Sequence, residues 1–128
     1  MRNPAWVLMG LGVLAMACGT KAKAQDVCVK LESAGVATNC REGKPTGIYS
    51  NAKDVAEFDV PDLAGKGGVV LVFPDRNFYD ATVRSYVEMG SRNADHRAGN
   101  PDRLVFVAIN EAASEELGEK AKAVVEGL

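Results

Sequence analysis

The sequence contains one histidine, one tryptophan and only 6% aromatic residues, and none of its three cysteines falls in a Cys-x-x-Cys pair. One histidine and three cysteines leave no donor to spare for a tetrahedral zinc site, which needs roughly four, and the thioredoxin-type redox motif is missing. No apolar run reaches the roughly 20 residues that a membrane-spanning helix needs. Charge of one sign is lacking too: 15 Lys and Arg stand against 17 Asp and Glu, a net charge of -2. That balance argues against a nucleic-acid binder held by phosphate contacts. Internal repeats, low-complexity tracts and a second domain are absent. What is there is 128 residues, 47% of them hydrophobic, with a mean hydropathy of -0.07. This suits a single globular domain and excludes disorder along the whole length.

The N-terminal end is the most informative stretch. Met1–Trp6 carries one Arg, and the fourteen residues Ala5–Cys18 then carry no charge. A short positive end, a short apolar run and small residues at its close make the pattern of an export signal. Leu14-Ala15-Met16-Ala17-Cys18-Gly19 resembles the lipobox of bacterial lipoproteins. That resemblance implies diacylglycerol on the Cys18 thiol, cleavage just before Cys18 and acylation of the new amine. The chain departs from the family in having Ala15, where Leu is preferred, three positions before the cysteine. Ala22-Lys23-Ala24 before Gln25 resembles instead the A-x-A site of ordinary secreted proteins, although two nearby lysines disfavour it. The expected division is a signal over residues 1–17, a lipid-anchored tether over 18–25 and one domain over 26–128. Gly19 lacks the acidic character that marks inner-membrane retention, so the lipoprotein resemblance implies the outer membrane. The alternative is a soluble periplasmic or secreted factor cut after Ala24.

Either cleavage takes Cys18 out of the thiol pool and leaves Cys28 and Cys40 as a pair in an oxidising compartment. The expectation is a Cys28–Cys40 disulfide. Charge is uneven along the exported part: Gly19–Lys53 has six bases and three acids, and Asp54–Leu128 has eight bases and fourteen acids. A basic stretch beside a lipid anchor favours an anionic membrane surface.

Hydrophobic periodicity gives a helix begun by Asp26 with Val27, Leu31 and Ala34 on one face, stopped at Gly35. Arg41–Ala52, with Gly43, Pro45 and Gly47, reads as irregular connection. Ala56–Val60 alternates apolar and acidic residues like a half-exposed strand, and Val69–Phe73 is a buried strand. Asn77 or Asp75 caps a second helix with Tyr79, Val83, Tyr86 and Val87 inward. Ser91–Asp102 reads as a polar loop, Leu104–Ile109 as another buried strand, and Ser114 caps a last helix along Leu117, Ala121, Val124, Val125 and Leu128. The predicted fold is α+β in the order α-β-β-α-β-α: a small mixed three-stranded sheet, about three helices and one disulfide. The first two strands form a hairpin, and the second helix makes a right-handed parallel crossover.

Asp95, His96 and Asp102 form the one polar cluster with catalytic residue types, and a small hydrolase or metal-dependent enzyme around His96 is the enzymatic alternative. Without a partner at ligand spacing, His96 reads as a surface or hydrogen-bonded structural residue. Gly65-Lys66-Gly67-Gly68 lacks the Ser or Thr of a phosphate loop and precedes a strand instead of following one. Asp75 and Asp80 suit a helix start. No catalytic constellation, metal site or cofactor is called for. Beyond the signal, Cys28, Cys40 and the closing Lys120-Ala121-Lys122-Ala123-Val124-Val125 give a layout that resembles small bacterial lipoproteins built of a lipobox, a two-cysteine helical segment and one α+β domain. The resemblance implies an envelope protein and brings no activity with it. The expected role is a non-catalytic binding or structural module, held at the membrane by its lipid, whose partner is an envelope protein or a cell-wall component.

Overall fold

The computed structural model describes residues 22–89 and 96–128; the expected signal, Cys18 and Asp95 lie outside them. Helix α1 (Ala24–Ser33) leads into strand β1 (Thr38–Glu42), a single 3-10 turn (Gly47–Tyr49), β2 (Asp54–Asp59) and β3 (Gly67–Val72). Helix α2 (Arg76–Met89), β4 (His96–Asn100), β5 (Val105–Ile109) and helix α3 (Glu115–Glu126) complete the chain. The strands form one five-stranded sheet in the order β1-β2-β3-β5-β4, with every neighbouring pair antiparallel. The α+β class, the three α-helices and the disulfide agree with the sequence reading.

The strand count and the crossover do not. The two unexpected strands, β1 and β4, are the edges of the sheet. Thr-Asn-Cys-Arg-Glu in β1 is exposed at four of five positions, and His-Arg-Ala-Gly-Asn in β4 is polar or small. An edge strand satisfies half its backbone groups through one neighbour and needs no apolar alternation, so neither segment carries the usual signal. The chain leaving β3 through α2 arrives at β4, and β5 then returns between them to pair antiparallel with β3. The parallel relation therefore joins β3 to β4, two places apart, and the sheet itself is not mixed.

Helices α1 and α3 cover one face and α2 the other. Ala56, Phe58, Val70, Val72, Val105, Val107 and Ile109 point to the first face with Val27, Leu31, Ala121 and Val125. Val55, Val69, Leu71, Phe106 and Ala108 point to the second with Tyr79 and Tyr86. Because β3 and β5 lie between both layers, their residues are apolar at successive positions.

Local chemistry explains the helix ends. Asp26 is not the cap of α1: the helix begins two residues earlier, and the Ala24 N–H donates to Asp54 Oδ2 at 2.8 Å. At its other end Gly35 has φ +83, with Gly35 N–H bonded to Glu32 O and Val36 N–H to Leu31 O, the glycine-terminated C-cap that favours this residue. Asp75 rather than Asn77 caps α2, accepting from the Phe78 N–H at 3.0 Å. Ser114 caps α3 as expected, accepting from Leu117 N–H at 3.1 Å. The buried stripe of α2 is Tyr79, Thr82 and Tyr86; Val87, expected inward, lies one further residue around the helix and is 64% exposed. The Cys28–Cys40 disulfide ties α1 to β1 across a Cα–Cα distance of 6.1 Å.

Candidate functional site

The structure separates the expected polar cluster. His96 opens β4, whereas Asp102 sits in the turn after it, so the length of the strand, about 13 Å at roughly 3.4 Å per residue, stands between them. The His96 ring is half-buried, with Nε2 at 2.6 Å from the Ala113 carbonyl. Its Nδ1 side faces Gly118 of α3, where a Cβ would come within 2.5 Å of that nitrogen. Glycine at 118 thus lets α3 lie close against the ring. Glu111, Glu115 and Glu119 line the adjoining shallow hollow, but no group of three His, Cys, Asp or Glu among the described residues is arranged to hold a metal.

Other motifs resolve as structure. Asp80 pairs with Arg76 at 2.9 Å, one helical turn away. Gly65, with φ +75, makes the turn between β2 and β3. A Cβ on Gly67 would meet the Phe58 carbonyl oxygen, and one on Gly68 would meet the Phe58 ring and the Ala108 carbonyl. These glycines are set by close strand packing.

A concavity of about 470 Å³ lies on the second face of the sheet, beyond the end of α2. Val69 and Ala108 form its floor, Tyr49, Tyr86 and Met89 its walls, and Arg41, Lys66 and Asn110 part of its rim. Burial raises the tyrosine pKa values of Tyr49 and Tyr86, and the neighbouring Tyr49 hydroxyl raises that of Tyr86 further. The Arg41 guanidinium lies 3.2 Å from Asp59 and 3.9 Å from Glu57. Asn39 donates to Asp59 Oδ2 at 3.0 Å; with Arg41 it holds the Asp59 carboxyl below its ordinary range, against the opposing effect of desolvation. An apolar floor with hydrogen-bonding and charged groups around it is the form of a small-ligand or peptide-contact surface.

Sequence reasoning missed this site. Arg41 lay in a segment read as irregular, and Tyr86 was assigned to the core, where it also packs at 5.1 Å from Phe106. The available signal was Glu57 and Asp59, whose acids on one side of β2 mark where helical cover stops. No described helix is long and apolar enough to cross a membrane. No protein-family model matches the chain, and comparison with curated proteins and with solved structures gives no match.

Proposed function

We propose that the chain is an exported cell-envelope protein, lipid-anchored at Cys18, whose folded unit is a non-catalytic binding module. The observation that carries this reading is the start of α1. Ala24 is fully buried, Ala22 packs against the core, and the Ala24 N–H is bonded to Asp54. The first helical hydrogen bond runs from Val27 N–H to Lys23 O. Cleavage after Ala24 would remove all of these and place a charged amine beside the core. Cleavage before Cys18 leaves them intact, which favours the lipobox over the A-x-A site. The Cys28–Cys40 disulfide accords with an oxidising compartment.

The concave second face supports a binding role, with an envelope protein or a cell-wall component as partner and the outer membrane as the favoured location. Intact mass of the protein extracted from envelopes in detergent, without reductant, tests the anchor. A chain beginning at Cys18 and carrying acyl mass is the expected result. A chain beginning at Gln25 without lipid replaces the proposal with a soluble periplasmic or secreted factor.

A further inference from the structure

Only Gly19, Thr20 and Lys21 separate Cys18 from Ala22 in the sequence. Even fully extended, those four Cα steps reach about 14 Å at roughly 3.6 Å each. A lipid on Cys18 therefore keeps the N-terminal end of α1 within about 14 Å of the anchored residue, from where it can approach the headgroups to within the screening length of about 8 Å in physiological salt.

That end of the molecule carries a group of three exposed cations. Lys23 at the N-cap of α1, Lys30 of α1 and Arg103 of the β4–β5 turn border one groove, together with Ala22, Val27, Asp26 and Leu128, the residue that carries the chain's carboxylate. All three cations are exposed, and none takes part in the ion pairs formed among the described residues. Asp102 and Glu126 lie beyond Arg103, so the cationic face is bounded on that side. The far end of β4 carries the opposite charge, with Glu111, Glu115 and Glu119 around His96. The three cations thus form a local group bounded by acids, and this groove is the part of the domain the tether holds near the bilayer.

We propose that the face formed by Lys23, Lys30 and Arg103 docks on anionic phospholipid headgroups. The proposal rests on the lipid anchor for its proximity and on charge complementarity for its occupant. Docking fixes the acidic end and the open second face of the sheet away from random tumbling on the tether, so that the concave surface is presented to the periplasmic side in a defined orientation.

The test uses the full chain purified from envelopes and reconstituted into vesicles of phosphatidylcholine, with or without phosphatidylglycerol. Lysine acetylation is then read residue by residue by mass spectrometry. Lys23 and Lys30 should react several-fold more slowly when phosphatidylglycerol is present, and high salt should abolish the difference. Exposed Lys53 and Lys66 serve as internal references. Slowing by phosphatidylglycerol that is no greater at Lys23 and Lys30 than at Lys53 and Lys66 overturns the docking face. Replacing Lys23→Gln, Lys30→Gln or Arg103→Gln should each weaken partitioning to anionic vesicles about fivefold, with circular dichroism confirming that the surface variants stay folded. Absence of acyl mass in the same preparation overturns the anchor instead. Cosedimentation of that unlipidated chain with phosphatidylglycerol vesicles then decides the face separately: salt-sensitive binding lost in the three variants sustains it, and no binding rejects it.

Discussion

On one face of the sheet, α1 and α3 bury Phe58, Val70 and Val107 to 1% exposure or less; on the other, the β1 and β2 side chains Arg41, Glu57 and Asp59 keep between 41% and 45% of their surface in water. The same strands contribute to both faces, so the contrast arises from what covers them. Two helices and a disulfide close the first face. A single helix covers the β3–β5 part of the second and leaves the β1–β2 part to a 3-10 turn and a charged network. The first face is where stability resides, and the second is where a partner can be accommodated at little folding cost.

The sharpest way to break this comparison is paired truncation. Phe58→Ala removes a fully buried ring that also covers Gly68, and it should cost about 3–5 kcal/mol in urea unfolding. Ile48→Ala, at a side chain 57% exposed on the rim of the open face, should stay within about 0.5 kcal/mol. Similar losses at the two sites would remove the distinction. Reduction of the Cys28–Cys40 bond, which holds β1 against α1, should lower stability by about 3 kcal/mol, read as a shift in the urea midpoint between reduced and oxidised protein.

A smaller effect is expected where the two regions meet. Tyr86 belongs both to the buried cluster of the second face and to the wall of its concavity. Its hydroxyl is raised by burial and by its contact with Tyr49. A phenol whose folded pKa lies above its unfolded value of 10.0 holds its proton more tightly when folded, so stability is full below about pH 10 and falls as pH rises past it. Tyr86→Phe should flatten that alkaline decline and change stability at neutral pH by no more than about 1 kcal/mol. Thermal unfolding across the alkaline range checks both.

The closed face was the legible part of the fold. Val69–Phe73, Leu104–Ile109 and the stripe through Ala121 and Val125 are apolar because they are enclosed, and enclosure leaves a periodic trace. The helix start at Ala24 was not legible, since its backbone donor is satisfied by Asp54, thirty residues away, and no local cap marks it. The edge strands left no trace for a related reason: Arg41 and His96 take their places through backbone pairing with β2 and β5, which any side chain permits. The candidate concavity depends on both edges of knowledge at once, the position of β1 and the end of α2. The Cys28–Cys40 pairing needed only the arithmetic of three cysteines and the expectation of export.

The smallest effect should come from the exposed network that borders the concavity. Asn39 and Arg41 hold the Asp59 carboxyl below its ordinary value of 3.8. A carboxylate with a lowered folded pKa contributes stability that is present above the unfolded value and disappears as pH falls through the folded one. The contribution should therefore be complete above about pH 4 and be lost only in stronger acid. Asp59→Asn should flatten this acid limb slightly, and Asn39→Ala should do the same by removing the first cause of the shift. Arg41→Ala should have the weaker effect of a solvent-screened pair. The measurement is the thermal midpoint against pH for the three variants. If Asp59→Asn follows the parent curve throughout, the network adds nothing to folding, and the persistence of Arg41, Glu57 and Asp59 beside the concavity would point to contact with a partner.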